Sequence, residues 1–245
     1  SPAYTKEIEV SISKTFNTEG SLPVGTRLIT TQFNHDVPSK DSGTRIHGTL
    51  GISKELSSEF PIITSRANTS TTYYSLNIKD NITRTTVGAG LDLEFPFISQ
   101  RQLFNTQVSR SITPKISYNY RGKVVQGNIP IFDTTDKEDE TLTFAGLSSG
   151  ERYTGLDRIS NANDITLSFV SSYRELDAEE EDLDLFNYRI AQTYYADDEV
   201  VSNETNSNFE KRRSYSDIVA GIGLSVNQFA YNSDFQFDPE ISEIT

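Results

Sequence analysis

Cysteine, methionine and tryptophan are absent from this chain, and histidine occurs only twice. Without cysteine there is no disulfide framework, although an exposed envelope protein can do without one. There is also no run of about 18 apolar residues, so no stretch reads as a transmembrane helix. That test does not touch a membrane β-barrel, whose strands need only roughly 9–11 residues of alternation each. Cations are scarce too: 22 Lys and Arg stand against 35 Asp and Glu, for a net charge of −13. Phosphate-backbone binding needs a Lys/Arg footprint, and the acidic balance argues against nucleic acid as a partner. The opening Ser1-Pro2-Ala3-Tyr4 is neither an initiator methionine nor a charged-then-apolar leader, and is expected to start a mature, trimmed or fragmentary chain.

What the chain does have is period-two alternation, from end to end. Ile8, Val10 and Ile12 alternate with Glu9, Ser11 and Ser13, and a second run spans Thr26 to Phe33. Ile46, Gly48, Leu50 and Ile52 give a third, and Thr71 to Ile78 a fourth after a turning segment, Glu59 to Asn68, that contains Pro61. Val87, Ala89, Leu91, Leu93 and Phe95 then oppose Gly88, Gly90, Asp92 and Glu94. Further runs are expected at Val108–Ile112, Ile116–Tyr120, Ile165–Tyr173, Phe186–Tyr194 and Asp217–Ala230, with Phe235 and Phe237 closing the chain. This predicts an all-β protein of roughly ten or eleven antiparallel strands, each with one apolar and one wet face. Long loops are expected at residues 122–163 and 197–214, and long loops inside a domain are usually functional or cover something.

The question is what the apolar face touches. With 35% hydrophobic residues the greasy stripes are thin and rich in aromatics, while Ser, Thr, Asn and Gln dominate the other side. A soluble sandwich would bury such stripes against a second layer. A membrane barrel would turn them to lipid and line water with the polar face. Asp92 and Glu94 need a hydrated face, since carboxylates in a dry core are expensive. Tyrosines such as Tyr118 and Tyr120 near strand ends suit an interfacial girdle, or are simply good strand formers.

A search for chemistry finds little. His35 and His47 have no metal-ligand spacing and read as isolated surface histidines. The acidic runs Asp136–Glu140, Asp177–Asp184 and Asp197–Glu199 lack calcium-loop spacing. They read as solvated loops, or as bridges through divalent cations to anionic groups. Asp157 and Arg158 are either an ion pair fixing their loop or a partner contact. Gly88-Ala89-Gly90 and Gly221-Ile222-Gly223 are strand punctuation, because no phosphate-cradling helix follows. No catalytic or metal site and no cofactor is expected.

Three segments in order carry a resemblance: Ile129-Pro130-Ile131-Phe132-Asp133-Thr134, Tyr153-Thr154-Gly155-Leu156-Asp157-Arg158-Ile159-Ser160-Asn161-Ala162-Asn163, and Ala191-Gln192-Thr193-Tyr194-Tyr195. Together they resemble the middle of the barrel of the LptD family, the lipopolysaccharide-assembly outer-membrane proteins also called organic solvent tolerance proteins. Thr113 to Tyr118 and Leu28 to Phe33 are similar more loosely. The resemblance implies that residues 1–245 are one segment of a transmembrane β-barrel, an up-and-down wall section. It implies lipopolysaccharide transport at the cell outer membrane, with outer-membrane lipid around the wall and an LptE-type lipoprotein plug as partner. Periplasmic bridge proteins would engage through an N-terminal domain outside this segment. It further implies that Tyr153, Gly155, Leu156, Asp157, Arg158, Asn161 and Asn163 sit on an extracellular loop contacting the plug or the sugar. Asn119, Arg121, Asn187, Arg189 and Gln192 are then expected to face the lumen, or else to be ordinary solvated strand residues. Two other classes stay open: a soluble or secreted all-β binding module, such as an adhesin or capsid-like sandwich, and a hydrolase on a smaller barrel.

Overall fold

The computed structural model describes residues 4–16, 22–103, 106–134, 144, 147, 153–176, 185–197, 213–226, 229–239 and 243–244. Among them a single 12-stranded sheet accounts for nearly all regular structure. In chain order the strands are β1 (Thr5–Phe16), β2 (Val24–Asn34), β3 (Gly43–Ser57), β4 (Ile62–Leu76), β5 (Ile82–Glu94) and β6 (Phe97–Leu103). They continue as β7 (Thr106–Arg121), β8 (Ala162–Glu175), β9 (Phe186–Tyr195), β10 (Ile218–Val226), β11 (Phe229–Asp238) and β12 (Glu243–Ile244). Every pairing is antiparallel and joins chain neighbours, apart from one local break. β5 and β6 lie end to end along β7, on Lys115–Arg121 and Thr106–Ile112 respectively. They make one bent strand, so the sheet is an up-and-down meander of eleven positions.

The break has a chemical cause. Pro96 interrupts β5/β6 opposite the stretch of β7 that holds Pro114, so two residues without N–H donors share one gap in the ladder. Phe95 N–H still donates to Pro114 O at 2.9 Å. Because Pro114 stays in register with Phe169 of β8, the two expected pieces 108–112 and 116–120 are one strand. β4 likewise begins at Ile62, directly after Pro61, and so starts well before Thr71.

Connections alternate between two rims. Residues 17–23, 58–61, 104–105, 176–185 and 227–228 join strands at one rim; 35–42, 77–81, 122–161, 196–217 and 239–242 do so at the other. The longest excursions are therefore on one side, but the acidic stretch 177–184 belongs with the short turns. That stretch, residues 136–140 and most of 197–214 lie outside the described residues.

The two faces are inverted relative to a water-soluble sheet. One face buries Thr31, Arg45, His47, Thr72, Arg84, Thr86, Asp92, Ser117, Asp164, Thr166 and Thr193. The opposite face exposes Leu28, Ile46, Leu50, Val87 (56%), Leu167 (57%), Ile190, Tyr194 (54%) and Leu224. Nothing among the described residues packs over that apolar face. The largest apolar cluster, Phe33, Tyr74, Leu76, Ile129 and Phe132, is on the polar side, where the 122–161 excursion folds back onto β2 and β4.

Candidate functional site

The excursion docks by aromatic packing and by charge. Ile129 and Phe132 insert among Phe33, Tyr74 and Leu76. Phe132 stacks on Phe33 with centroids 4.6 Å apart and meets Tyr4 edge-on at 4.9 Å. The Arg45 guanidinium covers the Phe33 ring at 4.8 Å. These contacts place residues 129–134 along the inner surface of β2–β4, beside the second quoted motif.

Asp157 holds the two motifs together. Its side chain is fully buried, and its Oδ2 accepts the backbone N–H groups of Phe132 (2.7 Å) and Asp133 (2.9 Å). Its Oδ1 accepts from Arg45 Nη1 (2.8 Å) and from the Tyr74 hydroxyl (3.2 Å). Arg45 also grips Asp133 with both Nη atoms, at 2.6 and 2.8 Å, a bidentate fork. Two carboxylates from the loop thus converge on one guanidinium from β3. Burial pushes the Asp133 carboxyl up, but hydrogen bonds from Arg45 outweigh it and hold the group below its usual range. Burial pushes the Asp157 carboxyl up, with the Arg45 charge opposing. An ion set this deep is strongly coupled: removing one member costs about 3–5 kcal/mol, because the other charge is left buried and unmatched.

A second arginine clamps the backbone. Arg84 Nη1 donates to Asp157 O (2.8 Å) and Gln126 Oε1 (2.7 Å), and its Nη2 to Leu156 O and Thr72 Oγ1. Gln126 in turn accepts from Ile159 N–H (3.0 Å) and donates to Ile159 O (2.7 Å). Arg158 Nη1 donates to Ile129 O and Asp157 O, so it ties the loop to itself, while the Asp157 carboxylate goes to Arg45. Burial lowers the Arg158 pKa. Thr134 Oγ1 accepts from Asp157 N–H and Arg158 N–H. Gly155 turns with φ +71°, and a Cβ there would sit 2.6 Å from Asp133 O, so both backbone and space demand glycine.

Of the loop residues singled out from sequence, Tyr153, Asp157, Arg158 and Asn161 are buried against the chain's own wall. Gly155 is exposed and Leu156 half-buried, while Asn163 accepts from the Tyr118 hydroxyl at 3.0 Å. The strand residues divide differently. Asn119, Arg121, Asn187 and Arg189 lie on the polar face by register. Gln192 pairs with Leu167 and shares the face of Ile190 and Tyr194; period two, not side-chain polarity, decides that, and its Nε2 donates to Ser216 O. Arg121 Nη1 donates to Ser160 O.

The glycine pairs are saddles. Arg66 of β4 passes over Gly90 of β5 to Asn119 of β7 (2.9 Å), and also pairs with Asp92. Arg189 of β9 passes over Gly221 of β10 to Asp234 of β11 (2.7 Å). A Cβ on Gly221 would lie 2.6 Å from Arg189 Nε. The same logic puts Asn68 over Gly88, and Asn187 over Gly223.

Sequence reasoning missed Arg45, Tyr74, Arg84 and Gln126. The available signal was the isolated cations Arg45 and Arg84 at polar-face positions of Thr-rich strands. The histidines need correction: both are buried. His47 Nδ1 sits 2.8 Å from Thr72 Oγ1, and His35 Nδ1 accepts the Val37 N–H at 3.0 Å. No group of three or more His, Asp or Glu gathers in a metal-holding arrangement among the described residues.

Comparison with known proteins agrees with the quoted motifs. The LptD family model, described as LPS transport system D, matches residues 6–245. The "LPS-assembly protein LptD" of Shewanella frigidimarina (strain NCIMB 400) is 28% identical over 221 residues, covering 87% of this chain and 28% of that protein. The protein of the same name from Neisseria meningitidis serogroup B (strain ATCC BAA-335 / MC58) is 26% identical over 225 residues, or 89% of this chain and 27% of the relative. That of Pseudoalteromonas atlantica is 31% identical over 126 residues, 51% of this chain and 16% of the relative. The chain spans less than a third of the length of these relatives.

Proposed function

The chain belongs to the LptD family, and from that premise we propose that it is a wall section of an outer-membrane β-barrel that inserts lipopolysaccharide into the outer leaflet. The carrying observation is the inverted sheet. Large apolar side chains are exposed along one face, while polar and charged groups are buried on the other. In water that arrangement squanders apolar burial; in a bilayer it is the stable one, because hydrocarbon takes the outer face and water the inner. Antiparallel pairing meets the second requirement, since backbone groups crossing hydrocarbon must be satisfied within the sheet.

The aromatic pattern supports the same reading. Tyr73, Tyr118, Tyr120 and Tyr194 lie on the apolar face toward the long-loop rim, while Phe97, Tyr173, Phe186 and Tyr231 lie toward the short-turn rim. Tyr120 is in register with Asn163, ten residues along β8 from Tyr173. At about 3.3 Å per residue and a tilt of roughly 40°, the two belts stand about 25 Å apart, the height of the apolar band of such barrels.

In this reading the long loops are extracellular and the short turns periplasmic. The docked excursion narrows the hydrated interior from one rim. Partners follow from the family: lipopolysaccharide as cargo, an LptE-type lipoprotein in the lumen, and periplasmic bridge proteins reached through a domain outside this chain. The soluble-module alternative requires a second layer over Leu28, Leu50, Leu91 and Leu167, and none of the described residues supplies it.

The test is site-directed spin labelling of the intact protein in liposomes. Labels at Leu91 and Leu167 should be relaxed by a membrane-soluble agent, and labels at Thr49 and Thr86 by a water-soluble one. Equal response at both sets would defeat the proposal.

A further inference from the structure

Two arginines stand on the apolar outer face of the wall, where a charge is costly unless something answers it. Arg110 of β7 shares the face of Ile112 and Ile116 and is in register with Tyr173, in the short-turn belt. Arg101 of β6 lies beside it on the same face. We infer that this pair binds the phosphate of a glycerophospholipid in the leaflet at the short-turn rim. The inference rests on the barrel reading, because a bilayer is what brings headgroups to this face.

Arg110 is held in place without being neutralised. Its guanidinium lies over the Tyr173 ring at 5.4 Å, and its Nη2 donates to the Tyr188 hydroxyl at 3.3 Å. Tyr173 is on β8 and Tyr188 on β9, so the side chain runs sideways across β8. An interfacial arginine that needed only water would extend along its strand to the rim. This one stays at the level of the belt. Among the described residues no carboxylate lies within ion-pair distance of it, its enclosed Nε has no acceptor, and its Nη1 makes no hydrogen bond. The outward donors therefore lack an oxygen from the chain itself. At this depth in a bilayer the strongest acceptors are headgroup phosphates, and the planar fork matches their oxygens two at a time.

Arg101 supplies the second cation. Ser99 is the register partner of Arg110, and Arg101 is the next residue on that face, one step nearer the turn at 104–105. Such diagonal neighbours are roughly 7–8 Å apart, a gap that two arginine side chains close around one phosphate. Arg101 is exposed and makes no hydrogen bond, ion pair or ring contact among the described residues. Glu175 is the carboxylate nearest in register, opposite Val108, and it forms no ion pair with either arginine.

The wall beyond the pair suits acyl chains. Toward the centre of the membrane the same face of β7 continues as Ile112, Pro114 and Ile116, beside Phe169 and Leu167 of β8. On the other flank Phe97, in register with Ile112, meets the exposed Phe60 ring edge-on at 5.3 Å, and Phe60 meets Phe95 at 5.8 Å. Cationic donors at the belt and apolar side chains running inward from them reproduce the polarity of one phospholipid. A free phosphate would use only the first of these features.

Native mass spectrometry on the intact protein, delipidated in non-ionic detergent, tests this with dioleoyl phosphatidylglycerol and dioleoylglycerol as separate probes and inorganic phosphate as competitor. The first phosphatidylglycerol should bind at least tenfold more tightly than dioleoylglycerol. Arg101→Gln is the informative variant because the fold loses no contact with it: it should weaken the first lipid about tenfold, the value of one charge-assisted hydrogen bond, and Arg101→Lys should recover part of it. Lys54→Gln, on the same face of β3, should leave that affinity within about twofold. Equal binding of dioleoylglycerol, an unchanged affinity in Arg101→Gln, or an equal loss in Lys54→Gln would overturn the inference. Inorganic phosphate that displaces the lipid at equal concentration would overturn the lipid assignment. Heat-modifiable migration on gels reports the barrel separately. Its absence in the wild-type protein would bring down the barrel reading and this site together, whereas its presence without the lipid preference would bring down the site alone.

Discussion

Replacing Asp157 with alanine removes the acceptor on which the docked loop converges. Two backbone donors, Phe132 N–H and Asp133 N–H, lose their partner, Tyr74 loses its acceptor, and Arg45 keeps only Asp133. Asp157 is fully buried and Arg45 nearly so, so solvent cannot replace these contacts without opening the loop. Breaking a buried ion set costs about 3–5 kcal/mol, which is roughly two to four orders of magnitude in the docking equilibrium. The sheet itself should survive, because none of its ladder bonds involves Asp157. Hydrogen exchange on the intact protein reads both halves of the expectation. Peptides containing Phe132 and Asp133 should lose protection by at least a hundredfold, while those from β7 and β8 stay within a few-fold of wild type. Protection at residues 129–134 unchanged in Asp157→Ala would refute the assignment of Asp157 as the anchor, whatever else held the loop.

Phe132→Ala should loosen the same loop by about 3–5 kcal/mol through the cavity left between Phe33 and Tyr74, read by hydrogen exchange in peptides covering residues 129–134. Gly155→Ala should cost about 1–3 kcal/mol from the left-handed backbone alone, and more from the 2.6 Å approach to Asp133 O, with exchange again as the measure. Asp133 gives a pH signature. Its folded pKa lies below the unfolded value near 4, so its stabilisation is present at neutral pH and disappears as pH falls through the lowered value. The gap in loop protection between wild type and Asp133→Asn should therefore be open at pH 7 and closed in strong acid. A gap independent of pH would contradict the ion-pair account. On the outer face, Leu167→Arg should cost about 2–4 kcal/mol of refolding stability in liposomes, against little for a polar swap at Thr49.

Much of the wall was legible because alternation is a local property. Leu91 and Asp92 face opposite ways whatever surrounds them, so the two faces, the strand count and the amphipathic character follow from nearest neighbours. The motifs around Phe132 and Asp157 likewise marked the loop that matters. Gln192 shows the limit of reading by polarity, since its position along β9 outranks its amide.

Sequence by itself determined the ribbons, their two-sidedness and the family signature. Only the tertiary structure decided that Asp157 meets Arg45 across 112 residues, that the loop folds onto its own wall, and that Gly90 and Gly221 let arginines cross a strand. The physical reason is range. Backbone pleating is set one residue at a time, whereas a buried ion pair depends on registers accumulated over many strands and on the closure of a long loop. That sum is not written in any short stretch of the chain.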